Sequence, residues 1–309
     1  MLWWNKVFHN KRSPNFMFSI KRPAVLALLI VILLIVGIGA YTLGRGSAAK
    51  DGDTSANSAG SSQGAGPSLP PGFTGKTGSS RVSPGTKTDG PVALANGSYD
   101  AMIYGPGKEL KSAEDILNVH RRNAKDPFAL GALDAPVVIS EFSDFECPFC
   151  AKWSNETEPT IIKEYVEKGF VRIEWNDLPI NGPDAVSAAK AGRAAAAQGK
   201  FNEFRSALFQ ASKTIKGHPE NKLTNFEEFA REAGVKDMAR FSREASDATY
   251  DSVVDKAREY AGSLGINGTP GFVVGTQYVS GAQPTEVFIR AIEAELAKVA
   301  DGKVAVPSV

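Results

Sequence analysis

The chain has 309 residues, 42% of them hydrophobic and 22% charged, with a formal net charge of +1, a length that suits one large domain or two small ones. The near-neutral total hides an uneven layout. Seven Lys and Arg and no Asp or Glu stand in the first fifty residues, which leaves 28 basic against 34 acidic residues for the remainder. A mildly acidic body without a basic stripe and interleaved aromatics excludes nucleic acid as a partner.

The first segment, 1–23, carries five of those cations. Ala24 to Leu43 then reads "AVLALLIVILLIVGIGAYTL", twenty residues without a charge, which is the length of a helix that crosses a bilayer core. The run is long for the apolar region of a cleaved signal peptide, although "SAA" at Ser47 to Ala49 offers a cleavage site. The cation bias places the N-terminus in the cytoplasm and everything after Leu43 outside. The expectation is therefore a single-pass cell-membrane protein with an extracytoplasmic body, where disulfides persist. Residues 44–96 are Gly, Ser, Pro, Thr and Ala with nothing periodic to bury, and read as a flexible linker. No heptad or repeat appears there, so a monomer is expected.

The folded region is expected over 97–309. Ser112 stands three residues before Asp115, a helix start. "APVVISEF" (Ala135 to Phe142) is apolar on both faces and β-branched, as a buried central strand should be. "FECPFCAKW" follows, then a helical pattern ending at Gly169 and a second strand, "FVRIEW", at Phe170 to Trp175. An Ala-rich helical block spans about 183–264. "GFVVGTQYVSG" reads as a hairpin turning at Gly275 and Thr276, and "PTEVFIRAIEAELAKV" as a final amphipathic helix. The order of strand, cysteines, helix, strand, helical block, hairpin and helix is that of a thioredoxin-like α/β fold with a helical insertion.

Cys147 and Cys150 are the two cysteines of the chain. A structural zinc site needs four ligands. Cys147, Cys150, His120 and His218 are the available set outside the first segments, and their spacing matches no finger pattern. A structural disulfide closing so short a loop would stabilise little. A redox pair suits the pattern better. Pro148 fits the first helical position, which puts Cys147 at the helix N-terminus, where free N–H groups and the helix dipole favour a thiolate. Cys147, at an exposed tip, would exchange with substrate, and Cys150, inside the first turn, would resolve the mixed disulfide. No metal and no other cofactor is expected. Phe145, Phe149 and Trp153 read as packing or an apolar rim for substrate.

"EFSDFECPFC", with "GINGTPGFVV" far downstream, resembles the exported thiol-disulfide oxidoreductases of the DsbA type, in membrane-anchored Gram-positive forms. The likeness covers roughly Ala135 to Val299. It implies that Cys147 and Cys150 are the catalytic pair, and that Thr269 and a cis Pro270 opposite them bind the substrate backbone. It also tips the reading of Glu141, which is otherwise as well explained as a strand-end carboxylate reaching water, toward a buried acid that handles the proton of the resolving thiol. Two features depart from the family. The dipeptide Pro148-Phe149 lacks the usual His, and the charge of Glu146 beside Cys147 should oppose a thiolate. The resemblance implies oxidation of exported cysteine-containing proteins and reoxidation by a membrane-embedded, quinone-linked partner. The alternatives are an envelope reductase or isomerase and, in another class, a non-catalytic metal- or peptide-binding module on the same fold.

Overall fold

The computed structural model describes residues 78–306. The expected anchor at 24–43 lies outside those residues, and among the described residues no helix is long and apolar enough to cross a membrane.

Five strands form one sheet in the order β1-β3-β2-β4-β5. These are β1 (Ala129–Leu130), β2 (Val137–Ser143), β3 (Val171–Asp177), β4 (Gly271–Val274) and β5 (Gln277–Ser280). β2 and β3 are parallel, with Glu141 opposite Trp175, and β4 lies antiparallel on the other side of β2, with Glu141 opposite Phe272. All seven residues of β2 and of β3 are buried, as expected of central strands covered on both faces. Gly275 takes a left-handed φ of 55° in the β4–β5 turn, and a Cβ there would lie 2.4 Å from a carboxylate oxygen of Glu295, so both the turn and the close approach call for glycine.

Between β2 and β3 the chain runs helically from Pro148 to Val166. α1 (Pro148–Lys152) and α2 (Glu158–Ile161) are each followed by a wide π turn, Trp153–Thr157 and Ile162–Val166. Pro159 has no N–H to give to the previous turn, and a widened helix is one local answer to that loss. Five helices fill the span from β3 to β4: α3 (Pro183–Ala196), α4 (Phe201–Ser212), α5 (Leu223–Glu232), α6 (Met238–Ser246) and α7 (Asp251–Ser263). The last helix, α8 (Thr285–Ala300), buries Phe288, Ala291, Ile292 and Leu296 against the sheet. Val287 and Ile289, apolar in the sequence pattern, are only half-buried.

Three apolar clusters follow from this layout. One holds Trp153, Ile161, Phe272, Phe288 and the Val137 and Ile139 side chains between the sheet, the 148–166 helix and α8. A second, smaller one covers the opposite face of the sheet around Phe142, Val273 and Ile266. The third fills the helical insertion, and Phe145 and Trp175, stacked with centroids 4.8 Å apart, join it to the cysteines.

The linker boundary needs correction. Residues 78–96 lie along the domain instead of preceding it. Gly78 and Ser79 donate their N–H groups to Glu293 Oε2 at 3.1 and 3.2 Å. Thr86 and Lys87 donate theirs to Asp134 Oδ1, both at 2.9 Å, and Gly85 N–H bonds the Gly169 carbonyl at 2.9 Å. Long-range carboxylates and backbone partners hold this stretch, so a composition poor in apolar residues gives no sign of it. The expected helix start at Ser112 is present with its Asp115 capping box, but it opens a 3-10 turn, Ala113–Val119.

Candidate active site

Asp144, Phe145 and Glu146 form the turn between β2 and α1. Asp144 is buried, and its carboxylate accepts from Glu146 N–H at 2.9 Å, Ile180 N–H at 2.8 Å and Asn181 Nδ2 at 2.7 Å. It thereby ties the loop after β2 to the loop after β3. Its own N–H donates to Cys150 Sγ at 3.5 Å. Cys147 is the N-cap of α1 with extended backbone, and Pro148 occupies the first turn. Cys150 and Ala151 donate their N–H groups to the Cys147 carbonyl at 3.0 and 3.1 Å, which fixes the two sulfurs on one face of the first turn.

Both cysteines are free thiols, and their surroundings differ. Cys150 is fully enclosed, and burial followed by the neighbouring Cys147 sulfur pushes its thiol well above the ordinary range. The Cys147 thiol is drawn down to about 6. The largest cause is the hydrogen bond from the Cys150 thiol, opposed by burial and aided by the Thr269 side chain and the N–H groups of Cys150 and Phe149. A thiolate ringed by donors is favoured over the thiol. Cys147 is not the exposed tip expected from the sequence. It is 5% accessible, whereas Phe149 beside it is 61% exposed.

Thr269-Pro270 is a cis peptide that faces the pair, and the Thr269 carbonyl accepts from Cys147 Sγ at 3.4 Å. The Glu146 side chain, next to Cys147 in sequence, is engaged by the loop before α5. Its carboxylate accepts N–H groups from Glu220 at 2.6 Å and Asn221 at 3.2 Å, and burial raises its pKa.

Glu141 is fully buried on the floor of the site, not at a wet strand end. Its Oε2 accepts from Trp153 Nε1 at 3.3 Å and Arg205 Nη1 at 3.5 Å, while Oε1 has no partner. Burial pushes its pKa up to about 7, with Arg205 pulling down and Glu158 pushing up. Arg205, from α4, also donates to Glu158. Asp144, Ser143, Arg205 and Glu158 are site residues that the sequence reading does not single out. An Asp three residues before a cysteine N-cap is a turn signal that points to Asp144, but nothing local marks an arginine 64 residues from its glutamate.

Neither histidine joins the cysteines. His120 bonds Ser140 Oγ at 2.9 Å and the Gly275 carbonyl at 2.8 Å, at the end of β4 away from Pro270. His218 bonds the Glu146 carbonyl through Nδ1 at 2.8 Å. Among the described residues, no three His, Cys, Asp or Glu side chains gather as metal ligands.

The chain has relatives among known proteins. Residues 123–294 match the thioredoxin family, and residues 50–119 match the N-terminal domain of DsbA. The chain belongs to the thioredoxin family. It is 30% identical over 200 residues to a probable disulfide bond formation protein D of Bacillus cereus, covering 60% of this chain and 89% of the relative. The Bacillus anthracis protein of the same description is 30% identical over 197 residues, with 59% and 87% covered. Among solved structures, oxidised BdbD from Bacillus subtilis shares the fold at a TM-score of 0.51 and 23% identity, over 55% of this chain and 92% of that one. Wolbachia pipientis alpha-DsbA1 does so at 0.50 and 20%, over 57% and 93%. This chain is a thiol-disulfide oxidoreductase of the DsbA type.

Proposed function

We propose that this oxidoreductase works as an oxidase, donating a Cys147–Cys150 disulfide to exported proteins from a domain tethered to the outer face of the cell membrane. The observation that carries the reading is the inequality of the two thiols. Cys147 is drawn down to about 6 and Cys150 is pushed well above its ordinary value. A stabilised thiolate on Cys147 stabilises the reduced form and makes the disulfide the better oxidant.

In this scheme a substrate thiolate attacks Cys147 Sγ, the Cys147–Cys150 bond breaks, and Cys150 leaves as a thiolate that takes up a proton. A second substrate thiolate then attacks the substrate sulfur of the mixed disulfide and expels the Cys147 thiolate. The substrate loses two electrons and the enzyme gains them. Thr269 and Pro270 line the approach to Cys147, and exposed Phe149 and Ile180 form an apolar rim for the substrate chain. Glu141 is the acid that supplies or takes the Cys150 proton. A membrane-embedded, quinone-linked partner reoxidises the pair, and no metal takes part.

Trapping tests the roles. Cys150→Ser should accumulate mixed disulfides with exported proteins on non-reducing gels, and Cys147→Ser should accumulate none. The reverse pattern would exchange the roles. Protease added to wall-stripped cells should release the catalytic domain, and a domain digested only after lysis would contradict the outward orientation.

A further inference from the structure

Buried polar atoms are almost always paired, and exceptions call for a reason. Two exceptions lie together here. Ser143 Oγ and Glu141 Oε1 are both buried, and neither makes a hydrogen bond of good geometry among the described residues, although Ser143 lies close enough to Glu141 and to Cys150 to act on both. The two residues are two apart on β2, so both side chains point to the same face. The next residue, Asp144, donates its N–H to Cys150 Sγ at 3.5 Å, which puts the resolving sulfur at this same end of the strand.

We propose that the Ser143 hydroxyl is the bridge through which a proton passes between Cys150 Sγ and Glu141 Oε1. This rests on the reading of Glu141 as the acid that serves Cys150. The groups that face Glu141 are Trp153, Arg205 from α4, Glu158 from α2 and Ser143 itself. Cys147 and the Asp144 N–H complete the surroundings of Cys150. Trp153 is a donor only, with its one N–H already given to Oε2, and Arg205 stays charged. Glu158 is occupied by Arg205 and Ser154. A serine hydroxyl both donates and accepts, and Ser143 is close enough to draw down the pKa of both Glu141 and Cys150 against burial.

The step balances in either direction. When the Cys147–Cys150 bond breaks, the Cys150 thiolate takes the Ser143 hydroxyl proton, and Ser143 is re-protonated from Glu141 Oε1–H. When Cys147 is held in a mixed disulfide, Cys150–SH gives its proton to Ser143 as Ser143 gives its own to the Glu141 carboxylate. The Cys150 thiolate then attacks Cys147 Sγ and the partner leaves as a thiolate.

The test follows the reduced full chain, in detergent, after mixing with excess of the coloured aryl disulfide DTNB. A first, reagent-dependent phase reports attack by Cys147. A second, first-order phase reports resolution by Cys150. In wild type the second phase should rise with pH and level off near 7, the value of Glu141. Ser143→Ala should slow that phase at pH 7.5 by on the order of a hundredfold, the lower end of what a positioned proton transfer contributes. It should also turn the profile into a steady rise with hydroxide, and leave the first phase in place. Ser143→Thr, which keeps the hydroxyl, should keep the levelling near 7. Ser143→Gly repeats the loss should the alanine variant not fold. If the hydroxyl-free variants keep the wild-type second phase while Glu141→Gln loses its levelling, the proton moves without Ser143 and the proposal fails. If Glu141→Gln also keeps it, the acid reading fails first.

Discussion

Two glutamates are buried side by side in the middle of the sheet, on opposite faces, and they behave as different residues. Glu174 in β3 accepts from Arg121 N–H at 2.7 Å, Arg122 N–H at 2.9 Å and Arg172 Nε at 2.9 Å. Burial raises its pKa, but Arg121, Arg172 and His120 outweigh burial, and the net shift is downward. Glu141 in β2 is just as buried, yet it has two long contacts on one oxygen and none on the other, and it is pushed up to about 7. Enclosure is the same on both faces, so the surrounding charges decide: Arg121, Arg172 and His120 around Glu174, against one arginine that Glu141 shares with Glu158. A buried carboxylate with both oxygens answered and cations around it is a structural anion, whereas one left half-answered is held partly protonated near neutral pH, as the proposed role of Glu141 requires.

The comparison breaks most visibly on the Glu174 side. Glu174→Ala leaves Arg172 without its carboxylate partner and the buried N–H groups of Arg121 and Arg122 unanswered, and removing one partner of a buried pair costs about 3–5 kcal/mol. Denaturant unfolding should show a loss of that size, and a loss under about 1 kcal/mol would mean that the three donors contribute little.

Glu141→Gln should act in the opposite direction. Between pH 4.5 and about 7 the folded state keeps a proton on Glu141 that the unfolded chain has released, so wild-type stability falls as pH rises through that window and is flat above it. The glutamine variant escapes this. Its advantage should open at pH 4.5, reach on the order of 3 kcal/mol above pH 7, and come with a slower resolving step. A variant less stable than wild type at pH 8 would show that Arg205 compensates the buried charge in full.

Much of the fold and the heart of the site are legible in the sequence. β2 declares itself because both its faces are apolar, and Pro148 between the cysteines sets the helix start and hence the order of the two sulfurs. Glu141 stands out as the one charged residue of β2. What stays hidden depends on partners far along the chain. Arg205 reaches Glu141 from α4, Glu146 is held by the N–H groups of Glu220 and Asn221, and Glu293 holds Ser79 across 214 residues. No local pattern encodes such pairings. Ser143 is hidden for another reason, since a serine in a buried strand stands out only through its lack of a partner in the folded chain.

Smaller changes sharpen the contrast at Cys147. Thr269→Val removes one hydroxyl that lowers the Cys147 pKa. A hydrogen bond to a charged group is worth about 1.5–3 kcal/mol, so the Cys147 titration followed by thiolate absorbance should move up by about one unit. An unmoved titration would assign the shift to Cys150 and the backbone alone. Phe149→Ala should leave stability within about 0.5 kcal/mol, as for an exposed position, while slowing reaction with peptides that carry apolar residues beside the cysteine. Equal slowing with polar peptides would deny Phe149 a place in the substrate rim.

The central claim, that the site stabilises a thiolate on Cys147 and so holds an oxidising disulfide, is tested most directly by the reduction potential against glutathione as a function of pH. With Cys147 at about 6, the potential should fall by about 59 mV per pH unit below 6 and by about 30 mV per unit from 6 to 8, where one proton accompanies two electrons. At pH 7 the lowered thiol alone makes the couple more oxidising by about 30 mV, or about 1.4 kcal/mol. A slope that stays near 59 mV per unit up to pH 8, with a potential as low as about −270 mV at pH 7, would contradict the account and make this protein a reductase.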